Sequence, residues 1–140
     1  MGSVQLSGEK KAISDKIDSM REGLVSLSHD IHGHPETGFQ EYHAVEAIEA
    51  FLKGQGMGME RDYCQIPTAF RAVKKGRGKG PVVAFLAEYD ALRGIGHGCG
   101  HNVIAACAVG AFLGLPGWRP MTGKYGLLEP RQRRAVPARC

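Results

Sequence analysis

The chain has 140 residues, 43% of them apolar, with a net charge of +4, which is enough for one domain of modest core and ordinary for a water-soluble protein. Four cysteines show neither CxxC nor zinc-ribbon spacing, and the longest apolar stretch, Val103 to Leu115, is too short to cross a bilayer. MGSVQLSGEKK at the start lacks the apolar run of a secretory signal, so a cytoplasmic protein with reduced thiols is expected.

Residues 9–31 read as a first helix, because Ile13, Ile17, Met20, Leu24, Leu27 and Ile31 recur at three and four and form one apolar stripe. Gly33 and Pro35 stop it. His29, His32 and His34 invite a metal assignment, but histidines at a helix end more simply meet the negative dipole there. Glu36 and Glu41 are placed to cap or brace the following turn. A second helix is expected from about Glu41 to Gln55, with Val45, Ile48, Phe51 and Leu52 on its face. Residues 61–66 and 69–74 suggest two short strands broken at Pro67. KKGRGKG, from Lys74 to Gly80, lacks the Gly-Lys-Ser/Thr ending of a phosphate loop and reads as a solvated hairpin turn.

The part that carries chemistry is Pro81 to Leu115, read as strand, polar loop and helix. Val82 to Ala87 is a short β-branched apolar run, suited to a strand buried on both faces. Val103 to Leu115 reads as a buried helix with Asn102 as N-cap and Gly114 with Pro116 as the stop. Between them stand Glu88, Asp90, His97, Cys99 and His101, beyond the carboxyl end of the strand, where α/β folds place their sites. Imidazole and thiolate are good zinc ligands. Glycines around Cys99 and His101 let the backbone turn both side chains toward one ion. Asp90 could complete such a site or hold a ligand imidazole by its far nitrogen. A buried thiol beside two surface histidines is the bland alternative.

Glu88-Tyr89-Asp90-Ala91-Leu92, followed by Gly94-Ile95-Gly96-His97-Gly98-Cys99-Gly100-His101-Asn102, resembles the motif of the metal-dependent amidohydrolases of peptidase family M20. The similarity is to the branch of aminoacylase-like dipeptidases and p-aminobenzoyl-glutamate hydrolases. His34-Pro35-Glu36-Thr37-Gly38-Phe39-Gln40-Glu41 and Pro67-Thr68-Ala69-Phe70 match the same branch in the same order, and the resemblance covers most of residues 14–124. It departs at Arg93, where the branch usually has Pro, and at Gly98, usually Ala. The resemblance implies Cys99 and His101 as metal ligands, Asp90 as the acidic catalytic residue near the centre, and a divalent metal, zinc with manganese or cobalt as alternatives. It implies an α/β fold that is the N-terminal part of a zinc-peptidase-like catalytic domain: helix, helix, β-hairpin, strand, metal loop, helix.

Residues 125–140, YGLLEPRQRRAVPARC, have no apolar period. They hold four arginines against one glutamate, whereas residues 1–124 carry 14 basic and 13 acidic residues. One reading is a non-enzymatic binding module that uses this basic arm. The preferred one is a slip of reading frame after Lys124. Codons can be chosen so that one restored base respells the tail as Val-Arg-Leu-Val-Gly-Thr-Pro-Ala-Glu-Glu, which resembles the next strand and acidic motif of the family. The chain is thus expected to comprise an amidohydrolase part, 1–124, and a disordered basic tail, 125–140.

The activity implied is hydrolysis of an amide bond in a dipeptide or N-acyl amino acid, with a small-molecule substrate and no nucleic-acid or membrane partner. The general base, further ligands and the homodimerisation region of the family are absent, so this chain alone is expected to be inactive. Its apolar helix 103–115 is expected to lack cover and to promote association. A redox role for Cys99 and Cys107 is disfavoured by the helical position and burial expected of Cys107.

Overall fold

A computed structural model describes residues 8–75 and 82–115, and the backbone of 124–128. In chain order the elements are α1 (Gly8–Asp18), α2 (Arg21–Gly33), α3 (Tyr42–Gly54), β1 (Glu60–Arg61), β2 (Phe70–Lys75), β3 (Val82–Leu86), α4 (His101–Gly114) and β4 (Lys124–Leu128). Helices and a four-stranded sheet of order β1-β2-β4-β3 make the mixed architecture. β1 and β2 are antiparallel, β2 and β4 antiparallel, and β3 and β4 parallel.

The single helix expected over 9–31 is two helices. Ser19 Oγ donates to the Lys16 carbonyl at 2.7 Å and closes α1, while Met20 leaves helical geometry and is buried. A polar side chain thus competes for a backbone acceptor at a helix end, and the apolar stripe crosses the break in phase. Leu27 and Ile31 of α2 enter the core. The second expected helix appears as α3, with Ala44, Val45, Ile48 and Leu52 buried. Its start is capped by Glu36, whose two carboxylate oxygens accept from the backbone N–H of His43 at 2.9 Å and Ala44 at 3.0 Å. Glu41 braces the same turn, accepting from the Phe39 N–H at 2.9 Å and the Thr68 hydroxyl at 2.6 Å.

The strand expected over 61–66 shrinks to two residues. Asp62, Cys64 and Gln65 take φ of 53°, 56° and 62°, outside any extended conformation, and Tyr63–Gln65 form a 3₁₀ turn. β2 and β3 are not a hairpin pair either, since β4 lies between them; the turn from 76 to 81 lies outside the described residues. β4 also corrects the expectation that structure ends at residue 124. The unpaired backbone groups of β2 and β3 provide ladder partners on both sides of one slot, and 124–128 fills it. Residues 129–140 and the connection at 116–123 lie outside the described residues.

β3 is formed as expected but is not buried on both faces: Val82 is 72% exposed and Leu86 52%. It stands at the edge of the described sheet, paired with β4. The helix expected to lack cover, α4, is buried at Ala105, Val109, Phe112 and Leu113, where α1 and α2 lie against it, while Val103 and Ile104 stay exposed, at 54% and 38%. A Cβ at Gly110 would meet Leu24 Cδ1 at 3.0 Å, so glycine sets how closely α2 approaches α4. Asn102 is not the N-cap; Gly100 is, in left-handed conformation with φ 75°. Asn102 instead donates to the Ser28 carbonyl at 3.2 Å and hydroxyl at 2.9 Å, fastening α4 to α2. The core gathers Ile31, Val45, Ile48, Leu52, Phe70, Tyr89, Val109 and Phe112, each burial contributing on the order of 1.5–3 kcal/mol.

Candidate metal centre

The loop between β3 and α4 begins at an anchored aromatic. Tyr89 is fully buried, stacked on Phe70 at 5.8 Å between ring centroids. Its hydroxyl donates to the Thr68 carbonyl at 2.6 Å. In extended chain successive side chains alternate, so fixing Tyr89 inward turns Glu88 and Asp90 outward together. The Ala91 N–H then donates to the Glu36 carbonyl at 2.7 Å, and Leu92 and Gly96 exchange two backbone hydrogen bonds of 2.9 Å. The chain returns through Gly100 into α4, whose first residue is His101.

These constraints bring Asp90 to His101: Asp90 Oδ1 lies 2.8 Å from His101 Nδ1. The other ring nitrogen, Nε2, lies 3.4 Å from Glu88 Oε2. An imidazole whose Nδ1 is held by a carboxylate presents Nε2 as a ligand atom of fixed direction. Cys99, two residues earlier, carries an exposed free thiol. Imidazole, thiolate and carboxylate each suit a borderline divalent ion such as zinc, but among the described residues Cys99 is not drawn with Asp90 and His101 into one three-ligand group. Glu88 is the residue that motif reading left without a role; its spacing of two from Asp90 on extended chain was the available signal.

His97 lies within electrostatic reach of His101 and Asp90. It is buried, and neither ring nitrogen has a hydrogen-bond partner among the described residues. Its ring centroid lies 6.1 Å from that of His32. Burial pushes the imidazole below its ordinary range and His32 adds to this, while the Ile31 backbone acts the other way. Cys107 is also a free thiol, and it is exposed, not buried as expected. Of the histidines His29, His32 and His34 at the end of α2, only His34 joins a group of ligand atoms: Asp30, His34 and His43 bring theirs within 4.8 Å of one another.

The same loop and fold recur in known proteins. The chain is 34% identical over 134 residues to a p-aminobenzoyl-glutamate hydrolase polypeptide of Escherichia coli, covering 84% of this chain and 27% of that protein. It is 35% identical over 127 residues to the Xaa-Arg dipeptidase of Homo sapiens, covering 83% and 29%. A dinuclear metal-binding peptidase of the M20 family from Bacillus subtilis superposes with a TM-score of 0.69 at 26% identity, over 80% of this chain and 35% of that one. The chain belongs to the M20 peptidase family. No family model matches it. A Staphylococcus aureus structure at 22% identity, with a TM-score of 0.72 over 85% of this chain and 34% of that one, adds support for the fold alone. As a member of the M20 family the chain spans less than a third of these two curated relatives. Among the described residues, no helix is long and apolar enough to cross a membrane.

Proposed function

We propose that residues 1–124 are the N-terminal part of a cytoplasmic metal-dependent amidohydrolase acting on dipeptides or N-acyl amino acids. Cys99 and His101 supply metal ligands and Asp90 positions His101. The observation that carries this reading is the Asp90–His101 contact at 2.8 Å, which commits Nδ1 to the carboxylate and leaves Nε2 for an ion. A bound divalent ion at such a centre polarises the amide carbonyl and lowers the pKa of water. The chain's own residues orient that centre. Asp90 keeps the Nδ1 proton in place, the fully buried Tyr89 fixes Asp90, and the Asn102 anchor to Ser28 fixes the start of α4 that carries His101.

We further propose that these 140 residues do not turn over substrate unaided, since the Pro-Ala-Glu-Glu segment that would bring the general base does not occur among them. A slip of frame after Lys124 accounts for that segment being replaced by an arginine-rich one.

A chimera tests the reading. Residues 1–124 replace the matching stretch of the E. coli hydrolase, and amide hydrolysis is measured with zinc and with manganese. The expected result is turnover by the chimera, abolished by His101→Gln or Cys99→Ala, and none by 1–140 alone. A folded, metal-loaded chimera without turnover, or turnover indifferent to both substitutions, overturns it.

A further inference from the structure

The last turn of α2 and the first turn of α3 carry a second group of metal-ligating side chains, separate from the Cys99–His101 loop. Asp30 and His34 are four residues apart across the end of α2, so they share one face. His43 is the second residue of α3. The turn between them is held by Glu36, whose carboxylate accepts the His43 and Ala44 backbone N–H groups. That cap sets the backbone of His43, and its ring comes to lie over that of His34 with centroids 4.0 Å apart and planes 33° from parallel. His43 Nε2 is 3.0 Å from Asp30 Oδ2, and His34 Nδ1 is 3.3 Å from Asp30 Oδ1. His34 Nδ1 also lies 2.9 Å from the Asp30 carbonyl oxygen.

We propose that Asp30, His34 and His43 form a second metal site, taking a borderline divalent transition metal of the zinc type. Three ligand atoms within 4.8 Å of one another fit around a single ion. Two imidazoles and one carboxylate select zinc, nickel or copper over magnesium and calcium, which take oxygen ligands. The three side chains are between 39% and 56% exposed, so a fourth position is open to water. Closure of the site joins the C-terminal end of α2 to the N-terminal end of α3, a structural role.

The experiment must separate this site from the loop that holds Cys99. Full-length chain without an affinity tag is stripped with chelator and titrated with zinc and with cobalt at neutral pH. Zinc is counted after dialysis, and the cobalt complex is followed by its visible spectrum. Cobalt at Cys99 gives a thiolate charge-transfer band; cobalt held by nitrogen and oxygen gives ligand-field bands alone. The Cys99→Ser/His101→Gln protein is expected to retain one equivalent of zinc and a cobalt spectrum without the thiolate band. It is also expected to show a melting temperature raised by zinc. Adding His34→Gln removes the retained zinc and the temperature shift with helical circular dichroism unchanged. His43→Gln does the same and serves as the second variant. No retained zinc in the Cys99→Ser/His101→Gln protein overturns the proposal, as does retention that survives both His34→Gln and His43→Gln.

Discussion

The two ends of the sheet layer differ sharply. Against the helices, Phe70, Ala72, Ala87 and Tyr89 are fully buried, locked by ring stacking and the Tyr89–Thr68–Glu41 hydrogen-bond chain. Along β3, residues just as apolar face outward, with Val82 and Leu86 more than half exposed. Composition is alike in the two places, so apolar content does not decide burial; having a packed layer opposite does. β3 ends at the proposed centre, so the half of the loop rooted in the core at Tyr89 is rigid, while the strand leading to it has one described neighbour.

Core truncation should break this contrast most directly. Ile48→Ala, in the fully buried α3 face, is expected to cost about 2–5 kcal/mol, whereas Val82→Ala should cost less than about 0.5 kcal/mol. Urea midpoints of the two variants at low protein concentration read the difference. An equal loss would mean that β3 is covered in solution, and a loss for Val82→Ala that grows with concentration would identify self-association as the cover.

A smaller effect is expected where the helical layer is fastened to the loop. Asn102→Ala removes both donations to Ser28 and should cost about 1–2 kcal/mol, the net worth of two such bonds. Asn102→Asp keeps the shape, removes the donors and should be no better. Full stability in both would show that water replaces the anchor and that packing across Gly110 alone holds α4 to α2.

What the sequence made legible follows the same division. α3 is readable because Val45, Ile48 and Leu52 keep helical period and Gly54 ends it. The Asp90–His101 contact is readable because the two residues are close along the chain and the motif is long. The break at Ser19–Met20 is not, since it leaves the apolar phase intact. β1 misleads because Asp62, Cys64 and Gln65 hold positive φ without being glycine. The sheet order cannot be read locally, because β4 enters between strands that precede it. The Asp30–His34–His43 group is hidden for a related reason: its members meet only after Glu36 has folded the turn back, so spacing makes His34 look like a solvated helix-end histidine.

The smallest effect expected is a change of slope with pH. His97 is buried with unpartnered nitrogens among the described residues, and burial, reinforced by His32, lowers its pKa from the ordinary 6.5. The folded protein therefore resists protonation of this ring while the unfolded chain does not. Above about pH 6.5 both states are neutral at this position and His97 contributes no slope. As the pH falls below that value the unfolded state binds the extra proton, so stability declines until the folded pKa is reached. His97→Gln cannot titrate and should lose that part of the decline, whatever it does to stability at pH 8. Unfolding free energies of chelator-treated protein, measured from about pH 8 to pH 5, compare the two curves. A shallower decline toward acid in the variant supports the buried neutral imidazole; parallel curves would mean that His97 reaches solvent and that the inner half of the loop is as open as β3.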